Sequence, residues 1–119
     1  MSKPTLVLGA STNPDRYAWK AAVMLLDYGH TIIPVGIKKG EIAANPIQRE
    51  FPAEAPHTIT LYLNALNQRP WYDTILNSGA QRIIFNPGTE NGELQEAAEA
   101  RGIETVEACT LVLLRTGQY

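Results

Sequence analysis

The sequence predicts an α/β fold, a mostly parallel five-stranded sheet with helices on both faces. Two observations predict it. Strand, turn and helix recur along the chain, and the first strand-like run, Thr5-Leu6-Val7-Leu8, is apolar throughout rather than alternating. A strand buried on both faces reads as a continuous apolar run, and parallel neighbours need right-handed crossovers that cover the sheet with helices.

Gly9 closes the first strand. From about Pro14 to Tyr28, residues Ala18, Ala21, Ala22, Leu25 and Tyr28 recur at helical spacing, and Gly29 follows where a helix stop favours a left-handed residue. Thr31 to Val35 reads as the second strand, and Pro34, which lacks an amide hydrogen, is expected to limit pairing and leave the strand end loose. Gly36 to Pro56 contains Gly40, Pro46 and Pro52 and reads as a connection with room for a short strand or turn. Thr58 to Leu63 is the third strand; Asn67 to Gly79 is helical, with Asn67 as its cap, Pro70 in its first turn, and Ile75 and Leu76 as its apolar contacts. Arg82 to Phe85 gives the fourth strand, Asn86-Pro87-Gly88-Thr89 a turn, and Glu90 to Arg101 a helix ending at Gly102. Ile103 to Val106 is the fifth strand, and the apolar run Cys109 to Leu114 fits either a strand or a helix.

With 119 residues the chain reads as one domain, 1–119, long enough for one core and too short for a nucleotide domain plus a substrate domain. Apolar residues at 45% and charged ones at 18% fit a compact folded protein rather than a disordered one. A net charge of -2 with ten scattered cations argues against nucleic acid as a partner. An export signal is not expected, because the start lacks a basic region leading into a long apolar stretch, nor is a membrane span, because no apolar run reaches about eighteen residues. The single Cys109 fits a reducing compartment, hence a cytoplasmic location.

Open α/β sheets bind ligands outside the carboxyl ends of their strands, where strand order reverses, which usually means the turn after the first strand. Here that turn is Gly9-Ala10-Ser11-Thr12-Asn13-Pro14. Gly9 permits a sharp exit, Ala10 and Ser11 are small enough for a pyrophosphate to approach the backbone, and Pro14 is preset for the first helical position. Amides at the helix mouth would meet the anion, Ser11, Thr12 and Asn13 would add side-chain donors, and Arg16 a charge-assisted bond. The same residues also suit a plain turn and helix cap without any ligand. The dinucleotide pattern G-x-G-x-x-G is absent, since Ser11 and Pro14 stand where it needs glycines. After the second strand, Gly36-Ile37-Lys38-Lys39 replaces the acidic residue that holds a bare ribose diol, which favours a ribose carrying an extra phosphate: coenzyme A or NADP over NAD.

The run Val7 to Tyr17 resembles the opening of the small stand-alone CoA-binding proteins, relatives of the CoA-binding domain in the α subunit of succinyl-CoA synthetase. Tyr28-Gly29-His30-Thr31-Ile32-Ile33-Pro34-Val35, Thr60-Leu61-Tyr62-Leu63-Asn64, Ile84 to Asn91, and Glu107-Ala108-Cys109-Thr110 continue the resemblance in order across nearly the whole chain. The resemblance implies a Rossmann-like three-layer αβα fold. It implies that CoA is held by its ADP part, with Gly9, Ala10, Ser11, Asn13, Pro14, Arg16 and Tyr17 around the diphosphate. Val35, Gly36, Ile37 and Lys38 would border the adenine and ribose phosphate. Leu63 and Asn64, with Asn86, Pro87 and Gly88, would flank the pantetheine arm. Two positions depart from the family pattern: Gly36-Ile37 stands where many members have Asn-Pro, and His57 where they have an acidic residue.

Other residues read more plainly. Cys109 beside Thr110-Leu111-Val112 reads as a small buried hydrophobe, although exchange with CoA disulfides is a role open to a thiol. His30 and His57 read as loop or strand-edge residues, and with one cysteine they make no metal-spaced cluster. Glu90, Glu93, Glu96 and Glu99 read as a solvated helix face, and Trp19, Trp71 and Tyr72 as core aromatics. The expected function is a non-catalytic protein that binds CoA or acyl-CoA. Two alternatives stay open: an NADP-dependent oxidoreductase, and a homo-oligomeric or protein-binding regulator with a vestigial nucleotide site.

Overall fold

The computed structural model describes residues 2–119. In chain order the elements are β1 (Thr5–Leu8), α1 (Tyr17–Asp27), β2 (Ile32–Val35), β3 (Glu41–Ile42), β4 (Asn45–Pro46), β5 (Thr58–Leu61), α2 (Ala65–Gln68), α3 (Tyr72–Leu76), β6 (Arg82–Phe85), α4 (Gly92–Ala100), β7 (Glu104–Glu107) and α5 (Thr110–Arg115). A 3-10 turn, Arg69–Trp71, joins α2 to α3. Five strands form one parallel sheet in the order β2-β1-β5-β6-β7.

Successive strand side chains point to opposite faces, and here both faces are covered. Leu6, Leu8, Ile59, Leu61, Ile83 and Phe85 pack with Ile75 of α3 and with Leu94 and Ala98 of α4. Val7 and Ile32 face the other way, onto Ala18, Ala22 and Leu25 of α1 and Leu114 of α5. Every residue of β1, β5 and β6 is therefore buried, which is why β1 and β6 read as near-continuous apolar runs. The five strands and the three-layer αβα arrangement agree with the sequence; the sheet is parallel throughout.

Several boundaries differ, each for a local reason. α1 begins at Tyr17 rather than near Pro14, because Pro14 and Asp15 form a turn closed by the Arg16 amide donating to the Asn13 carbonyl at 3.0 Å. Asn64, not Asn67, caps the next helix: its Oδ1 accepts from the Asn67 amide at 2.9 Å, so the helix starts at Ala65 and Pro70 falls in the 3-10 turn. Asn91 caps α4 through the Leu94 amide at 3.2 Å, leaving Glu90 outside the helix. β5 ends at Leu61, two residues before the expected Leu63, and β7 starts at Glu104, one after Ile103. The run from Cys109 is a helix, α5.

Pro34 does not loosen β2. Its carbonyl accepts from the Gln48 amide at 3.0 Å on the outer edge of the sheet, and the Gly36 amide donates to Gln48 at 2.9 Å, so the missing amide hydrogen falls where β1 never needed it. Between β2 and β5 lies a two-residue hairpin, β3–β4, anchored by the buried Ile42. Its loop residues Ala43 and Ala44 have φ of 48° and 68°, the left-handed region that suits Asn-Gly. The Asn45 side-chain amide donates to the Ile42 and Ala43 carbonyls and holds this bend.

At the amino pole of the sheet, Tyr119 packs beneath Arg82, whose guanidinium carbon lies 4.4 Å from the ring centroid, and its hydroxyl meets Thr5. Lys3 Nζ donates to the Tyr119 carbonyl at 2.6 Å, and the Lys3 amide donates to His30 Nδ1 at 3.0 Å. His57 Nδ1 lies 2.7 Å from Thr58 Oγ1, the acceptor for Arg82 Nε. Burial first, and then the cations Lys3 and Arg82, hold both histidines below the ordinary value of 6.5.

Two expectations follow. Ala43→Asn with Ala44→Gly should stabilise the fold by about 1 kcal/mol in urea denaturation, by removing left-handed strain. The unfolded chain also binds protons that the folded histidines refuse, so their contribution is complete above about pH 6.5 and is lost as pH falls from there toward their lower folded values. The urea midpoint should fall between about pH 7 and pH 5.5, and His30→Asn with His57→Asn should flatten that fall.

Candidate functional site

Strand order reverses at β1: the chain goes first to β2 on one side, then crosses to β5 on the other. In open α/β sheets such a reversal places the ligand crevice outside the carboxyl ends of the flanking strands, here β1 and β5. Gly9 lines it with a φ of 94°, and a Cβ there would lie 3.0 Å from the Tyr62 carbonyl carbon and 3.1 Å from Leu63 Cδ2. The exits of β1 and β5 thus meet with no room for a side chain.

The turn that follows is held from within. The Gly9 and Ala10 amides both donate to the Val35 carbonyl, at 2.9 and 3.0 Å, so neither is available to a ligand. Ser11 Oγ accepts from the Asn13 amide and Asn13 Oδ1 from the Asp15 amide, leaving the Ser11 hydroxyl hydrogen and the Asn13 side-chain NH2 free to donate outward. Arg16, at the cap position of α1, makes no side-chain cap, so among the described residues the first three amides of α1 have no acceptor. Among the described residues, the Ser11 and Thr12 amides also have none. These donors stand at the positive end of an eleven-residue helix, a setting that suits a phosphate.

The segment after β2 is clamped against this turn at both ends. A Cβ on Gly36 would lie 3.0 Å from the Ala10 carbonyl oxygen, and one on Gly40 would lie 2.5 Å from Thr12 Cγ2. Ile37, Lys38 and Lys39 arch outward between these two contacts, all exposed. Two cations are thereby carried beside residues 10–12. Lys20 adds a third on α1, its Nζ 5.2 Å from the centroid of the exposed Tyr17 ring. Lys20 escaped the sequence reading because the helical period placed it on a solvated face.

The other expected residues play mixed parts. Val35 is in the core and reaches the turn only through its carbonyl. Asn64 caps α2. Asn86 is 2% exposed and its side chain is fully engaged: Nδ2 donates to Thr60 Oγ1 at 2.7 Å and to the Leu61 carbonyl at 2.9 Å, while Oδ1 accepts from the Thr110 amide at 2.9 Å. Asn86 thus builds the wall of the crevice, while Pro87 and Gly88 stand exposed at its edge. α5 crosses back to pack on α1, so half-buried Cys109 and fully buried Thr110 sit near the same strand ends, Thr110 Oγ1 within 2.8 Å of Thr60 Oγ1. Burial pushes the neighbouring Tyr62 phenol up to about 12, against the opposing effect of Thr110 and Thr60. Glu90, Glu93, Glu96 and Glu99 are exposed, and Trp19, Trp71 and Tyr72 pack on the core.

A depression of about 460 Å³ opens at the opposite pole, lined by Leu76, Gly79, Ala80, Gln81, Arg101, Gly102 and Ile103. It meets the carboxyl ends of α3 and α4, whose carbonyls disfavour an anion, so strand polarity and helix direction favour the β1 turn instead. No described helix is long and apolar enough to cross a membrane.

The family model for the CoA binding domain matches residues 3–115, and the chain belongs to this family of small CoA-binding domains. Among solved structures, the chain is 48% identical to an uncharacterised protein, with a TM-score of 0.96, covering 100% of this chain and 99% of the other. A Thermus thermophilus protein at 18% identity (TM-score 0.86, 99% of this chain and 91% of that one) shares the fold. So does a hypothetical protein from Pyrococcus horikoshii at 20% identity (TM-score 0.84, 96% and 83%). No curated protein matches the chain.

Steric strain concentrates at Gly9. Gly9→Ala puts a Cβ against backbone at a left-handed φ, so it should lower stability by more than about 1 kcal/mol in urea denaturation and open the β1–β5 crevice.

Proposed function

We infer that this protein is a non-catalytic CoA-binding module that holds CoA, or an acyl-CoA, by its 3'-phospho-ADP half at the turn after β1. The observation that carries this reading is the clamp: Gly36 and Gly40 pin the Lys38–Lys39 arch against a turn whose helix mouth has unpartnered amides. Family membership supports CoA as the ligand, and the donor set fits it.

Each part has its own task. The free amides at the start of α1, with the Ser11 hydroxyl, the Asn13 side-chain amide and Arg16, bind the diphosphate. Lys38 and Lys39 neutralise the ribose phosphate, which distinguishes CoA from a nucleotide with a bare diol. Gly36 and Ile37 border the adenine. The thiol end then leaves along the exits of β5 and β6, between Leu63–Asn64 and Asn86–Gly88, and is presented to another molecule. A cytoplasmic location, where CoA is available and Cys109 stays reduced, completes the reading.

Thermal shift with CoA, dephospho-CoA, NADP and NAD at matched concentrations tests it. A ligand at about 100 times its Kd adds about 2.7 kcal/mol. CoA should exceed dephospho-CoA, with NADP and NAD near baseline. Lys38→Ala with Lys39→Ala should narrow the gap between CoA and dephospho-CoA. A larger shift with NADP than with CoA would favour the oxidoreductase alternative, and an unchanged gap in the double variant would remove the lysines from the phosphate site.

A further inference from the structure

Beyond Leu61 and Phe85 the ladder between β5 and β6 ends, and strand pairing no longer fixes the distance between the two exit segments. One buried side chain spans them instead. Gln68, 0% exposed, donates through Nε2 to the Leu63 carbonyl at 2.8 Å and to the Thr89 carbonyl at 2.8 Å. Its Oε1 accepts from Asn91 Nδ2 at 2.9 Å, and Asn91 is held in turn by the Tyr72 hydroxyl at 2.7 Å and the Leu94 amide at 3.2 Å.

A carboxamide is the uncharged side chain that offers two donors and an acceptor in one plane, and this one uses all three directions. Leu or Met would fill the same volume but would leave two buried carbonyls without a donor. The bridge therefore does what apolar packing cannot, which is to fix the relative position of two backbone segments that share no ladder bond.

We propose that Gln68 is a positioning residue for the pantetheine arm of the ligand. It sets the spacing of Leu63–Asn64 and the Asn86–Thr89 turn, the two walls between which the arm passes, without touching the arm itself. This rests on the reading of the β1 turn as the site of the nucleotide half. Among the described residues Gln68 makes no hydrogen bond to that turn, so it distinguishes ligands that carry the arm from those that do not.

Titration calorimetry of the whole chain with CoA and with 3'-phospho-ADP tests the proposal. In Gln68→Leu and Gln68→Met, CoA should bind about tenfold more weakly while 3'-phospho-ADP changes by less than about twofold. Asn91→Asp keeps an acceptor to cap α4 but removes the donor to Gln68, and it should show the same selective loss if the Gln68 variants fail to fold. Equal losses for both ligands, or no loss for either, would overturn the role of Gln68 and leave the nucleotide site standing. A wild-type chain that binds neither ligand would overturn both readings together.

Discussion

The Val35 carbonyl accepts from two successive amides, Gly9 and Ala10, and this shared bond turns the chain out of β1. It works only because β2 lies beside β1 in parallel register, Leu8 opposite Val35, while β5 closes the other side. The turn is thus trapped between two strand ends. The reversal of strand order creates the crevice, and the shared bond aims the helix mouth into it.

Glycine does a specific job on each side of that turn. At Gly9 the β5 exit approaches too closely for a side chain, and at Gly36 the Ala10 carbonyl does the same. Close backbone approach on both flanks leaves the turn little freedom to relax. A phosphate site gains from such rigidity, because its donors need no reordering when the anion arrives.

Polar side chains take over where the sheet ends. Asn86 joins β5, β6 and α5, and Gln68 joins the segments after β5 and β6. Both are nearly or fully buried and make hydrogen bonds through each polar atom. Their type was plain in the sequence, but apart from Leu63 their partners lie 21 to 26 positions away, so spacing gave no signal. Asn86 read as a turn residue flanking a bound arm, and Gln68 as one position within a helix.

Local chemistry made most of the fold legible in advance. Apolar or β-branched runs marked the first four strands, Gly29 and Gly102 marked helix ends, and the small residues from Gly9 to Pro14 marked the turn. Helix starts were less legible, because Asn13, Asn64, Asn67 and Asn91 are all capable caps and only the folded backbone selects Asn64 and Asn91. Pro34 misled because its effect depends on which side of the strand the missing hydrogen faces, and the hairpin at Ala43–Ala44 was hidden because alanine carries no turn signal. By itself, then, the sequence determined the class of fold and the position of the glycine turn after β1, since both follow from the pattern of near neighbours in the chain. Tertiary structure alone decided which amides stay free, that Lys38 and Lys39 are clamped beside them, and that Gln68 spans the far end of the crevice, because each depends on segments that meet only after the strands have paired.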